Sequence, residues 1–195
     1  MRVLVVSEGK HEQSGALENL VKRLGGDRAD LTFDRVSNSD IHAFHGKGGG
    51  YFKRAVRWLM EAEKRDVEAM ILLIDEDGQK ERRTQLENAQ GCSLSRLARA
   101  MGVAIRSFDA WMLADEQALA SALGQRIDRQ PDPETIRDPK GVCSGLLADG
   151  PNQMTQREMY AEVARRIDID LLTSRCPMGF GLFAKNVRQV FVQEE

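Results

Sequence analysis

The chain has 195 residues and 21.8 kDa, enough for one domain or one domain with an appendage. Its 42% hydrophobic and 30% charged residues exclude wholesale disorder. With 28 Lys+Arg against 30 Asp+Glu, the net charge of −2 excludes a purely electrostatic nucleic-acid binder, though not an enzyme that reaches nucleic acid through metal ions.

Residues 2–7 (Arg-Val-Leu-Val-Val-Ser) read as a buried strand. A turn at Glu8-Gly9 leads to a helix over 11–24, with Ala16, Leu17, Leu20, Val21 and Leu24 on one stripe, ended by Gly25-Gly26. Residues 31–36 alternate as a half-buried strand does, and a polar loop follows over 37–50. A helix is expected over 51–65, then the strongest strand, 67–74, which runs straight into Asp75-Glu76-Asp77-Gly78. The stretch 79–101 reads as helix, charged first and apolar later, 103–107 as a short strand, and Asp109 opens another helix. Strands alternating with helices predict an α/β fold, Rossmann-like, with a mostly parallel sheet of about four strands. Residues 1–124 form this core; 125–195 form an addition, irregular over 125–152 and helical over 155–167 and 181–192.

No apolar run approaches the ~18 residues of a membrane span. Cys92, Cys143 and Cys176 lack the spacing of a zinc motif or a disulfide framework. The start turns acidic too early for a signal peptide, so the expected location is cytoplasmic.

Ligands of parallel sheets sit at the carboxyl ends of the strands. Glu8 ends the first strand and Glu12 lies one helical turn on; Asp75 and Asp77 end the strongest strand; Asp109 ends the fourth. Two like charges ~4 Å apart repel by about 4 kcal/mol at an effective dielectric near 20. Such a cluster calls for a cation, shared protons or wide separation. Carboxylate oxygens suit Mg²⁺ or Mn²⁺, and two such ions ~3.5–4 Å apart are a usual device for cutting phosphodiesters. Each acid also has an ordinary structural role open to it: Asp77-Gly78 a turn, Glu12 a helix-start charge, Asp109 an N-cap.

Ser7-Glu8-Gly9-Lys10-His11-Glu12 resembles the V-E-G-x-T/S-E motif of Toprim domains, and Asp75-Glu76-Asp77-Gly78 resembles their D-x-D motif. The resemblance extends to the Toprim half of overcoming-lysogenization-defect (OLD) nucleases and to small stand-alone OLD-like Toprim proteins. There the fourth strand is followed by an acid and a W-L-L-A-D-like helix, here Ser107-Phe108-Asp109-Ala110-Trp111-Met112-Leu113-Ala114-Asp115. Asp138-Pro139-Lys140 and Cys176-Pro177-Met178-Gly179-Phe180 are similar to later segments of the stand-alone group. The likeness covers nearly the whole chain. Ser7 replaces the usual Val, His11 replaces Thr or Ser, and Asp109 stands where Glu is common, a shorter arm that shifts or weakens one metal position.

The resemblance implies a Mg²⁺- (or Mn²⁺-) dependent nuclease acting on DNA or RNA, in a setting such as antiviral defence or DNA repair. Glu8 and Glu12 would hold one ion, shared with Asp75; Asp77, Ser107 and Asp109 would hold or adjust a second; Lys140 would stabilise charge on the cleaved phosphate. A tyrosine-based topoisomerase reaction is not expected, since only Tyr51 and Tyr160 occur and no separate tyrosine domain is evident. Two alternatives stay open: a Toprim module that binds nucleic acid or a protein without cutting, and a metal-dependent nucleotide phosphotransferase.

The loop His42-Ala43-Phe44-His45-Gly46-Lys47-Gly48-Gly49-Gly50 precedes a helix carrying Lys53, Arg54 and Arg57. It is not a Walker A, but Lys47, Lys53 and Arg54 suit substrate phosphate as well as they suit a solvated connector. Lys80, Arg82 and Arg83 suit a nucleic-acid backbone or plain solvent. OLD nucleases join Toprim to an ATPase, which implies a separate ATPase subunit here. Such a subunit would dock on the helices after residue 150, unless those only cover the sheet. A homo-oligomer stays open as well.

Overall fold

The computed structural model describes residues 1–9, 15–38 and 50–192. Among the described residues, four strands, β1 (Arg2–Ser7), β2 (Asp30–Arg35), β3 (Ala69–Asp75) and β4 (Ala98–Ala104), make one sheet in the order β2-β1-β3-β4. Every pairing is parallel, in register Val5↔Phe33, Val5↔Ile71 and Ile71↔Ala100. This is the mostly parallel α/β sheet expected from the alternation of strands and helices. The two central strands are apolar along their length because both faces are covered. Val3, Val5, Ile71 and Leu73 face one core; Leu4, Val6, Met70, Leu72 and Ile74 face the other.

Helix α1 (Ala16–Val21) covers the first face, and α2 (Tyr51–Lys64) and α3 (Glu81–Gln90) cover the second. After β4 come α4 (Phe108–Met112), α5 (Glu116–Leu123) and α6 (Pro139–Asp149). The chain ends with α7 (Gln156–Arg166), α8 (Ile169–Arg175) and α9 (Leu182–Val192). Met159, Tyr160, Val163, Phe180, Phe183 and Val187 from the last third join Val3, Ile71 and Trp111 in one core. Trp111 sits at its centre, with ring centroids 5.3 Å from Phe108, 5.2 Å from Phe180 and 5.5 Å from Phe183.

Strand β4 is an edge, and side chains complete its ladder. Met101 N–H donates to Gln90 Oε1 (2.8 Å), Gln90 Nε2 donates to the Arg99 carbonyl (3.0 Å), and Asn186 Nδ2 donates to the Met101 carbonyl (3.0 Å). Pairing these outward backbone groups blunts the template an open edge presents. Gly102 lets α9 approach, since a Cβ there would collide with the Phe183 ring.

Two local expectations are corrected. The helix expected over 79–101 stops at Gln90, the chain turns at Gly91, and β4 begins at Ala98, ahead of the strand expected over 103–107. Leu94, in the apolar later part of that stretch, is 68% exposed. The segment 125–152, expected to be irregular, contains α6: Asp138 Oδ1 accepts from Gly141 N–H (2.9 Å), with Pro139 in the first turn. Among the described residues, no helix is long and apolar enough to cross a membrane.

Candidate active site

The sheet order places β1 between β2 and β3, and α1 and α2 cover opposite faces. The chain therefore reverses direction across the sheet between β1 and β3, and a crevice opens at the carboxyl ends of that pair. Glu8 follows β1 and Asp75 closes β3. Glu8 Oε2 accepts from the Asp75 N–H (2.9 Å), and Glu8 Oε1 accepts from the Tyr51 hydroxyl at the start of α2. Burial, then the hydrogen bond to Glu8, pushes the Tyr51 phenol up to about 12, so it is a neutral donor.

Arg82 on α3 closes this corner. It is 8% exposed and donates to the Asp75 carbonyl (2.6 Å) and to Asp77 Oδ2 (2.7 Å). The same nitrogen lies 3.7 Å from Glu8 Oε2, and the guanidinium carbon is 4.6 Å from the Tyr51 ring centroid. Burial works against its charge, but the Asp77 hydrogen bond and the neighbouring Glu8 and Asp77 charges outweigh this and raise its pKa. A fixed cation therefore already stands between two of the acids.

Asp75 Oδ1 accepts from the Phe108 N–H (2.7 Å), tying β3 to the start of α4. Asp109, in the first turn of α4, is 9% exposed. Its Oδ2 accepts from the Ser107 hydroxyl (2.8 Å), and its Oδ1 accepts from Gln156 Nε2 (3.2 Å) and from the Tyr160 hydroxyl. Burial first, and then nearby Cys143 and Asp109, raise the Tyr160 phenol well above its ordinary value. The Cys143 thiol, 3.6 Å from the Asp109 carbonyl, is pushed up to about 12 by burial. Both groups remain protonated and act as donors.

Asp75, Asp77, Ser107, Asp109 and Lys140 line a single cleft of about 540 Å³. Arg106, Arg137 and Tyr160 line it too, and none of these was singled out as a site residue from the sequence. The available signals were adjacency, Arg106 to Ser107 and Arg137 to Asp138-Pro139-Lys140. Asp77 (φ 49°) and Arg106 (φ 65°) both adopt the left-handed backbone region, and the Asp77 N–H donates to the Arg106 carbonyl (3.0 Å). Such sparsely populated conformations concentrate at functional sites. Glu8, a predicted metal ligand, is not among the residues lining the cleft and is one hydrogen bond from Asp75. Lys53 and Arg54, on α2, do not line it; the Arg54 guanidinium lies 4.8 Å from the Tyr51 ring centroid. Glu12, Lys47, His42 and His45 lie outside the described residues.

Among the described residues, no three His, Cys, Asp or Glu side chains gather closely enough to cage a metal ion. Mg²⁺ does not require a cage: it keeps several waters and takes one or two carboxylates plus substrate phosphate. Asp75 and Asp77, oxygen donors on one cleft wall, fit such an ion in kind.

No curated protein and no solved structure matches the chain. A family model, described as a domain of unknown function (DUF4276), matches residues 8–185, and the chain belongs to that family.

Proposed function

We propose that the cleft is the active site of a Mg²⁺- or Mn²⁺-dependent nuclease of Toprim, OLD-like type, hydrolysing phosphodiesters of DNA or RNA. The supporting observation is convergence: Asp75, Asp77 and Asp109, from the ends of two strands, border one cleft with Arg106, Arg137 and Lys140. A bound ion would supply Lewis-acid stabilisation of the phosphoryl oxygens and an activated water. Asp75 and Asp77 would hold it, with Ser107 and Asp109 alongside. Glu8 fixes the Asp75 backbone, and Phe108 N–H fixes one Asp75 oxygen, so the carboxylate is oriented before any ligand arrives. Lys140, which lines the same cleft, would meet developing phosphate charge. An ATPase partner and a role in antiviral defence or DNA repair belong to the same proposal.

Asp75→Asn keeps the shape and the Phe108 contact while removing the charge. It should lower Mg²⁺-dependent cleavage at least about a hundredfold, as loss of an electrostatic contact in the transition state does. Excess chelator should stop the wild type. Cleavage by Asp75→Asn at the wild-type rate, or cleavage that survives the chelator, contradicts the proposal.

One observation favours a second reading, a non-catalytic module that binds nucleic acid or protein. Arg82 already neutralises Asp77 and approaches Glu8, a cation supplied by the fold itself. Nucleic-acid binding that is indifferent to Mg²⁺ and followed by no hydrolysis would favour it.

A further inference from the structure

The charges around the cleft are not used symmetrically. Each lining carboxylate is already engaged by the protein: Asp75 by Phe108 N–H, Asp77 by Arg82, Asp109 by Ser107, Gln156 and Tyr160, Asp138 by Gly141 N–H. The lining cations differ. Among the described residues, neither Arg106, Arg137 nor Lys140 has an ion-pair partner. Arg106 projects from a left-handed residue that Asp77 holds through its backbone. Arg137 directly precedes the N-cap Asp138 and Lys140 lies in the first turn of α6, so both are carried at one capped helix start.

We infer that Arg106, Arg137 and Lys140 form a receptor for a terminal phosphate, so that the substrate is a nucleic-acid strand end bearing a phosphomonoester. The inference rests on reading the cleft as the substrate site. An internal phosphodiester carries one negative charge. A terminal phosphate carries about −1.5 to −2 at pH 7 and offers three acceptor oxygens. Two guanidinium forks and an ammonium match the second better, since arginine pairs bidentately with phosphate oxygens. The cleft, at about 540 Å³, suits the end of a strand.

The test is calorimetric titration of the whole chain in chelator and low salt. The probes are one tetranucleotide carrying a 5′ phosphate, a 3′ phosphate or neither, with inorganic phosphate as competitor. One phosphorylated form should bind about tenfold tighter than the unphosphorylated form, the scale of a charge-assisted contact. Inorganic phosphate should displace it. Arg137→Ala, at an exposed position, should lower the preference, and Arg106→Lys with Arg137→Ala should abolish it. Equal affinity for all three probes, a preference that survives in the double variant, or failure of inorganic phosphate to compete overturns the inference. Because binding is read without turnover, the two proposals separate. Cleavage with Mg²⁺ and no end preference removes this inference alone; end preference without cleavage removes the nuclease alone.

Discussion

Arg82 does the most work of any single residue at the sheet edge. Beside Asp75 and Asp77 in the chain, it suits a solvated or phosphate-gripping cation; in the structure it turns inward and is 8% exposed. One guanidinium nitrogen reaches both the Asp75 carbonyl and the Asp77 carboxylate, with Glu8 3.7 Å away. Removing it leaves the part-buried Asp75 carbonyl without this donor and two nearby carboxylates without their counter-charge. Arg82→Ala should therefore lower unfolding free energy by about 1–3 kcal/mol, less than a fully buried pair because Asp77 is half-exposed. Arg82→Lys should recover part of the loss. Urea denaturation reads both; a change within about 0.5 kcal/mol for Arg82→Ala would show the clamp to be incidental. The direction of an arginine side chain depends on what surrounds it in three dimensions. That is why Arg82 read as an outward-facing cation and Arg106 and Arg137 went unmarked, whereas Asp75 and Asp77 stood out at the end of a conspicuous apolar run.

Helix ends fix the loops that carry the cleft. Asp115 is 5% exposed; its Oδ1 accepts from the Gln117 and Ala118 N–H groups (2.9 and 3.0 Å), and its Oδ2 accepts from the Asp168 N–H (2.9 Å). It caps α5 and joins it to the start of α8 in one carboxylate. Asp115→Ala should cost about 2 kcal/mol, the upper range for an N-cap, because the part-buried Asp168 N–H at the start of a second helix loses its acceptor too. Asp115→Asn, which keeps an acceptor oxygen, should cost less; equal losses in thermal unfolding would contradict a capping role. The same logic explains the elements that sequence patterns missed. Asp138-Pro139 is an N-cap followed by a first-turn proline, a start signal for α6 hidden by the prolines around it. Strand β4 was obscured because its outer ladder is satisfied by Gln90 and Asn186, so its residues need not alternate as a half-buried strand does. Gly102, there for the Phe183 ring, weakens the strand signal further.

At the scale of the molecule, topology decides where chemistry can happen. The order β2-β1-β3-β4 opens a crevice between β1 and β3, and the loops after β3 and β4 bring their acids to its rim. Apolar periodicity was enough to reveal the parallel sheet, and position at strand ends was enough to mark the acids. The third component, Arg137 and Tyr160 beside Lys140, comes from segments distant in sequence; the resemblance had marked Lys140, but Arg137 and Tyr160 required the folded chain. Because α7 and α9 contribute Tyr160, Val163, Phe183 and Val187 to the central core, a chain ending before residue 151 would lose that core. Partner dependence must therefore be tested on the full chain. The central claim is that the carboxylates at this crevice take a divalent ion for phosphodiester hydrolysis. The most direct test is a crystal soaked in saturating Mn²⁺ and measured for anomalous scattering. The account predicts an anomalous peak in the cleft bound by Asp75, Asp77 or both, lost in Asp75→Asn. A fully soaked crystal with no peak there, and Arg82 still paired with Asp77, would contradict it.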